Sequence, residues 1–171
     1  MGGYTLERLN FLIVDDSGHM RTLVKTILGA LGATQVQEAR DGATALTEMR
    51  HFPADIVVCD RHMAPMDGLA FVRRVRTGSD SPNPFVPIIM LTGETAMTSV
   101  VEARDAGVHE FLAKPISARS LYARIQAIIE RPRPFVRTPT YFGPNRRRRQ
   151  VPWAGPERRR TGRVTGGRTP P

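Results

Sequence analysis

Leu9-Asn10-Phe11-Leu12-Ile13-Val14-Asp15-Asp16 decides the reading of this chain, because an apolar run stops abruptly against two aspartates. A run of this length and composition suits a strand buried on both faces of a parallel sheet. Ser17 can then cap a helix, and Met20, Leu23, Val24, Ile27, Leu28 and Leu31 follow at the spacing of one helical face before Gly32 stops it. The alternation repeats outward from there. Strands are predicted near Thr34–Ala39 and over Asp55–Cys59, Val86–Leu91 and His109–Leu112, and helices over Gly42–Arg50 and Ser117–Glu130 and near Gly68–Arg76 and Thr95–Ala106. Five strands alternating with five helices predict an α/β, doubly wound parallel sheet.

The chain has 171 residues, 40% of them apolar, enough for one sizeable core and short for two ordinary domains. It contains no apolar stretch of the length that crosses a membrane, and its start, MGGYTLERLN, lacks the apolar centre of a signal peptide. A cytoplasmic protein is expected. One cysteine, Cys59, excludes an internal disulfide and a cysteine-cluster metal site, and its place in an apolar run makes it a small buried hydrophobe. His19, His51 and His109 have no partners at metal-ligand spacing and are expected at the surface.

The net charge of +9 is concentrated at one end. Residues 131–171 hold 12 arginines, no lysine and one acid, whereas residues 1–130 hold 13 basic and 15 acidic residues. The same tail holds 8 of the 14 prolines and only eight apolar side chains, too few to offset the entropy of ordering it. The expected organisation is therefore a folded domain over 8–130 and a disordered basic tail over 131–171. Within the tail, Gly143-Pro144-Asn145-Arg146-Arg147-Arg148 is echoed by Gly155-Pro156-Glu157-Arg158-Arg159-Arg160, each with an aromatic residue just upstream. Arginine clusters beside aromatics suit nucleic-acid backbones or an anionic membrane surface.

In doubly wound sheets the reactive groups gather beyond the carboxyl ends of the strands. Here those positions are Asp15, Asp16, Asp60, Thr92 and Lys114, the last followed by Pro115. An Asp pair ending one strand would by itself read as a helix cap and a solvated acid. Three converging carboxylates repel one another and favour a cation, and oxygen ligands with room for water suit Mg²⁺. A metal-assisted phosphoryl site follows, with Thr92 and Lys114 on the phosphoryl oxygens.

Asp15-Asp16, Asp60 with Met63 and Met66-Asp67-Gly68 after it, Pro87-Ile88-Ile89-Met90-Leu91-Thr92, and Lys114-Pro115 occur in order at telling spacings. Over about Arg8–Glu130 the chain thus resembles the receiver domain of two-component response regulators, and single-domain chemotaxis regulators in particular. The resemblance implies a flavodoxin-like sheet of order 2-1-3-4-5. It implies Asp60 as phosphoacceptor, served by a histidine kinase or phosphotransfer protein, and Mg²⁺ held by Asp15, Asp16, Asp60 and the backbone carbonyl of His62. Thr92 and Lys114 would grip the phosphoryl group, Phe111 takes the place of the switch aromatic, and His62 and Glu94 are placed to tune phosphoryl lifetime. Two departures stand out: Pro65 is one residue later than the family's proline, and Gly93 replaces a small side chain.

The expected function is a phosphorylatable signalling switch that acts by binding a downstream protein target. The alternative is a receiver-gated binder of nucleic acid or an anionic surface, acting through Arg146, Arg147, Arg148, Arg158, Arg159 and Arg160. An enzyme is not expected. A phosphatase of the dehalogenase type wants an acid two residues after its nucleophile, where this chain has His62, and no cap domain is present to enclose a substrate.

Overall fold

A computed structural model describes residues 5–93 and 97–146, with only the backbone of 97–99. Beyond a short 3₁₀ turn at Leu6–Arg8, the elements run β1 (Asn10–Val14), α1 (Gly18–Ala30), β2 (Gln35–Ala39), α2 (Gly42–His51), β3 (Ile56–Asp60) and α3 (Gly68–Thr77). They continue with β4 (Ile88–Thr92), α4 (Met97–Ala106), β5 (Glu110–Ala113), α5 (Ala118–Glu130), β6 (Phe135–Thr138) and β7 (Tyr141–Pro144). The first five strands form one parallel sheet in the order 2-1-3-4-5, as expected.

Alternation along the central strands divides the core into two layers. Phe11, Ile13, Ile56, Val58, Ile89 and Leu91 face a cluster shared with Val24, Leu28, Leu121 and Ile125 of α1 and α5. Leu12, Val14, Val57, Cys59, Ile88 and Met90 face the opposite cluster, shared with α2, α3 and α4. Burial on both faces is why these strands read as unbroken apolar runs. Leu23, assigned to the inward face of α1 from its spacing, is instead 39% exposed.

Polar caps mark where the helices begin. The side chains of Ser17, Asp41, Asp67 and Ser117 accept from the backbone N–H of Met20, Thr44, Ala70 and Ser120 at 3.3, 2.7, 2.7 and 3.0 Å. Each satisfies an amide that the first helical turn leaves without a partner. Because the caps sit at the strand exits, they also hold the polar loops at the carboxyl edge of the sheet.

Two expectations require correction. A disordered tail from Arg131 onward does not hold over residues 135–144, which form the antiparallel hairpin β6–β7 against α3 and α4. The hairpin borrows a core that it could not build alone. Phe135 and Phe142 pack edge-on to Phe85 at centroid distances of 5.1 and 5.5 Å, and Tyr141 and Phe142 are buried. The second correction concerns His109, which is 6% exposed and lies under Phe135 at 5.5 Å. Its neighbour Arg76 is also buried. The Arg76 guanidinium donates to the carbonyls of Gly107 and Pro84 at 3.0 and 2.8 Å, meets His109 Nδ1 at 3.2 Å, and lies over the Phe135 ring at 5.1 Å. Burial lowers Arg76 to about 9, which leaves it charged at neutral pH. Since the Ile88 amide also points at His109 Nδ1, that atom is the acceptor and the ring is neutral with its proton on Nε2.

Burial, with the positive charges of Arg76 and Arg133 nearby, pushes His109 down to about 3. The unfolded chain binds a proton near pH 6.5 while the folded one does not, so stability is full above that value and falls as pH drops toward 3. Unfolding free energies from urea titrations between pH 7 and pH 4 should fall less steeply for His109→Gln than for wild type, the difference amounting to a few kcal/mol at most, on the order of the full shift.

Candidate functional site

β1 and β3 are adjacent and parallel, with Val14 beside Cys59, so the residues that follow them emerge together at the carboxyl edge. Carboxylate oxygens of Asp15, Asp16 and Asp60 lie within 4.8 Å of one another. Asp15 and Asp60 are 2% and 4% exposed, whereas Asp16 faces solvent. Such buried acids need compensation. Asp15 Oδ1 accepts from the Ser17 amide at 2.9 Å, but its Oδ2 has no hydrogen-bond partner among the described residues. Asp60 Oδ1 forms an ion pair with Lys114 Nζ at 2.7 Å that falls outside hydrogen-bond geometry.

Burial raises the Asp15 pKa above the usual carboxylate range, and the charges of Asp60 and Asp16 add to the effect against the opposing Ser17 amide and Lys114. A carboxylate oxygen left unsatisfied in a polar corner, facing two other acids, fits a hard divalent cation that takes oxygen ligands. The donor set therefore matches Mg²⁺.

The register of the neighbouring strands brings the remaining groups to the same edge. Leu91 pairs beside Asp60 and Thr92 beside Ala113, and the Lys114 amide donates to the Thr92 carbonyl at 2.9 Å. Thr92 is buried. Phe111, two residues before Ala113, is half-buried and packs on the α2–α4 layer. His62 lies in the loop after β3 with an exposed side chain, and Ala64 in that loop donates to Asp16 Oδ2 at 3.4 Å. Asp15, Asp16, Asp60, Thr92 and Lys114 thus meet at one edge of the sheet, while Phe111 lies within β5 beside Met90. Of the tail arginines, Arg146 lies at the end of α4, while Arg147, Arg148, Arg158, Arg159 and Arg160, like Glu94, fall outside the described residues.

Several supporting contacts escaped sequence reasoning. Gly68 donates to the Arg61 carbonyl at 2.8 Å, and a Cβ there would collide with the Asp60 carbonyl oxygen and come within 2.9 Å of Arg61 Cα. Glycine is required because the α3 entrance rests directly on the backbone of the site. Arg21 of α1 donates to the Asp15 carbonyl at 2.7 Å and pairs with Glu38 at 3.4 Å. Arg61, next to Asp60, pairs with Glu102 of α4 at 2.8 Å. The Asp67-Gly68 pair carried a readable signal, a cap followed by a residue without Cβ. The arginine contacts carried none, since Glu38 and Glu102 are distant in sequence and the Asp15 acceptor is a backbone carbonyl.

A 2-1-3-4-5 parallel sheet with an acid trio at its carboxyl edge, a strand-end threonine and a lysine on the central acid defines the receiver class of signalling domains. The chain belongs to the response regulator receiver domain family, whose model matches residues 11–126. It is 36% identical over 125 residues to chemotaxis protein CheY-3 of Vibrio cholerae, a span covering 73% of this chain and 95% of that one. It is 37% identical over 123 residues to chemotaxis protein CheY of Pseudomonas aeruginosa, covering 72% and 98%. Among solved structures, CheY4 of Vibrio cholerae matches with TM-score 0.64 and 33% identity over 70% of this chain and 98% of that one. The receiver domain of sensor histidine kinase PA1611 of Pseudomonas aeruginosa, solved with a magnesium ion in its active-site cleft, matches with TM-score 0.63 and 26% identity over 71% and 98%. The chain is thus a two-component receiver, and no helix among its described residues is long and apolar enough to cross a membrane.

Removing the buried Asp15 charge should stabilise the metal-free protein. In EDTA, Asp15→Asn is expected to melt a few degrees above wild type, about what 1 kcal/mol produces in a chain of this size. Millimolar Mg²⁺ should raise the wild-type midpoint and leave that of Asp15→Asn nearly unchanged; differential scanning fluorimetry reads both.

Proposed function

We propose that the chain is a phosphorylatable switch, accepting a phosphoryl group on Asp60 from a histidine kinase or phosphotransfer protein and signalling through a downstream protein target. The observation that carries this reading is the buried Asp60 carboxylate held beside Asp15 with the Lys114 ammonium at 2.7 Å. In the transfer, an Asp60 carboxylate oxygen forms the new bond to phosphorus as the P–N bond of the donor breaks, and the departing imidazole nitrogen keeps the electron pair. Asp15, Asp16, Asp60 and the His62 carbonyl would hold Mg²⁺, which when bound would supply charge neutralisation for the transferring group. The magnesium reported for the PA1611 receiver domain supports that assignment.

The modified side chain gains about −1.5 to −2 of charge. Lys114 then moves from the carboxylate to the phosphoryl oxygens, and the Thr92 hydroxyl donates to another. Since Thr92 ends β4 and Lys114 follows β5, both loops are drawn inward, and Phe111 shifts with its strand. Partner recognition at this position rests on packing, because phenylalanine has no hydroxyl to present.

The chain acts in this reading as a substrate and switch, without turnover of an external substrate, in the cytoplasm. In the described structure Arg146, one residue of the polyanion-binding alternative, pairs with Asp105 at 2.8 Å and lies over Tyr141 at 4.6 Å.

Intact mass after incubation with acetyl phosphate tests the assignment. Wild type should gain one phosphoryl group only when Mg²⁺ is present, and Asp60→Asn should gain none. Uptake undiminished in Asp60→Asn would place the acceptor elsewhere.

A further inference from the structure

We propose that the hairpin β6–β7 is a clasp that holds the α4–β5 segment in its present arrangement and thereby opposes phosphorylation of Asp60. The inference rests on Asp60 being the phosphoacceptor. The α4–β5 segment is the length of chain bounded by Thr92 and Lys114, the two groups that must move when a phosphoryl group arrives. The hairpin and the residues flanking it, Arg133 before β6 and Arg146 after β7, grip the far end of that segment at four places. Arg146 pairs with Asp105 near the end of α4 at 2.8 Å, and Arg133 pairs with Glu110 at the start of β5 at 3.6 Å. Phe135 covers His109 at 5.5 Å. At Gly143 the two backbones approach so closely that a Cβ would lie 3.1 Å from Gly107 Cα.

The other side of the hairpin is fixed to parts of the domain outside this segment. Phe135 receives the buried Arg76 of α3, and Phe85 of the loop before β4 packs on both Phe135 and Phe142. The hairpin therefore bridges α3 to the α4–β5 turn. Gly107 has φ of +108°, a backbone state that glycine tolerates and other residues resist, so the turn it forms has a defined shape for the clasp to seize. β5 has only four residues, Glu110–Ala113, running from the Arg133 contact at Glu110 to the residue before Lys114. A short hydrogen-bonded strand carries displacement along its length without absorbing it. Motion of Lys114 toward a phosphoryl group then works against the grip on Glu110 and His109, and motion of α4 works against Arg146.

Two states coupled in this way are coupled in both directions. The test uses the full-length chain, Mg²⁺ and beryllofluoride, a reversible mimic of the aspartyl phosphoryl group, with binding measured by calorimetry. Arg146→Glu, at a half-exposed position, should bind beryllofluoride about five-fold tighter or more than wild type. The reversed pair, Asp105→Arg with Arg146→Asp, should return the affinity toward wild type, an outcome that a general loss of structure would not produce. In wild type, beryllofluoride should also speed hydrogen exchange at the amides of residues 136–143. Equal affinities of wild type and Arg146→Glu would overturn the clasp and leave Asp60 as phosphoacceptor. Weaker binding by Arg146→Glu would overturn it by reversing its sign. Absence of Mg²⁺-dependent binding in every variant would remove the reading on which the clasp depends, and the clasp with it.

Discussion

Asp15 and Asp60 are carboxylates almost removed from water, side by side at the ends of adjacent strands. Their repulsion is the constraint around which the rest of the domain is arranged. Desolvation makes each charge expensive, and closeness makes the pair more so. The Lys114 ammonium relieves part of this on Asp60, while Asp15 Oδ2 keeps an unmet need. Nothing in an apolar core would hold such a group in place by itself. What does so is the parallel sheet, whose hydrogen-bonded register delivers both acids to one edge, and the Gly68 contact that presses the α3 entrance onto the Asp60 backbone.

That constraint explains why a short domain can be responsive. A site that is comfortably satisfied has little reason to change when a group is added. Here a charge added on Asp60 falls beside a carboxylate oxygen that already lacks a partner and on the acid that Lys114 already compensates, so the lysine is the nearest cation to be redistributed. Arg61 and Glu102 place α4 within reach of the same event, since Arg61 is bonded in sequence to Asp60.

Much of this was legible in the sequence because it is written locally. The Leu9–Val14 run, the capping residue Ser17 and the residues ending each strand all announce themselves within a few positions. His109 did not, because a histidine at a strand start looks alike whether it meets water or the guanidinium of Arg76, 33 positions away. The hairpin was hidden for a related reason. Phe135, Tyr141 and Phe142 are too few to form a core among prolines and arginines, and they become one only against Phe85 and Arg76. Composition describes what a segment can do alone, and this segment folds on a surface provided by another.

The buried Arg76 has a consequence for how the molecule comes into being. Synthesis is vectorial, and a domain can begin to fold while later residues are still being added. The five-stranded sheet is complete at Ala113 and α5 ends at Glu130, yet Phe135 and Phe142 have not then left the ribosome. During that interval the charged face of Arg76, the ring of His109 and the side chain of Phe85 lie without the cover that the finished protein gives them. The nascent receiver is therefore a different physical object from the mature one: stickier around Phe85 and His109, and free of the restraint that the later-made hairpin imposes.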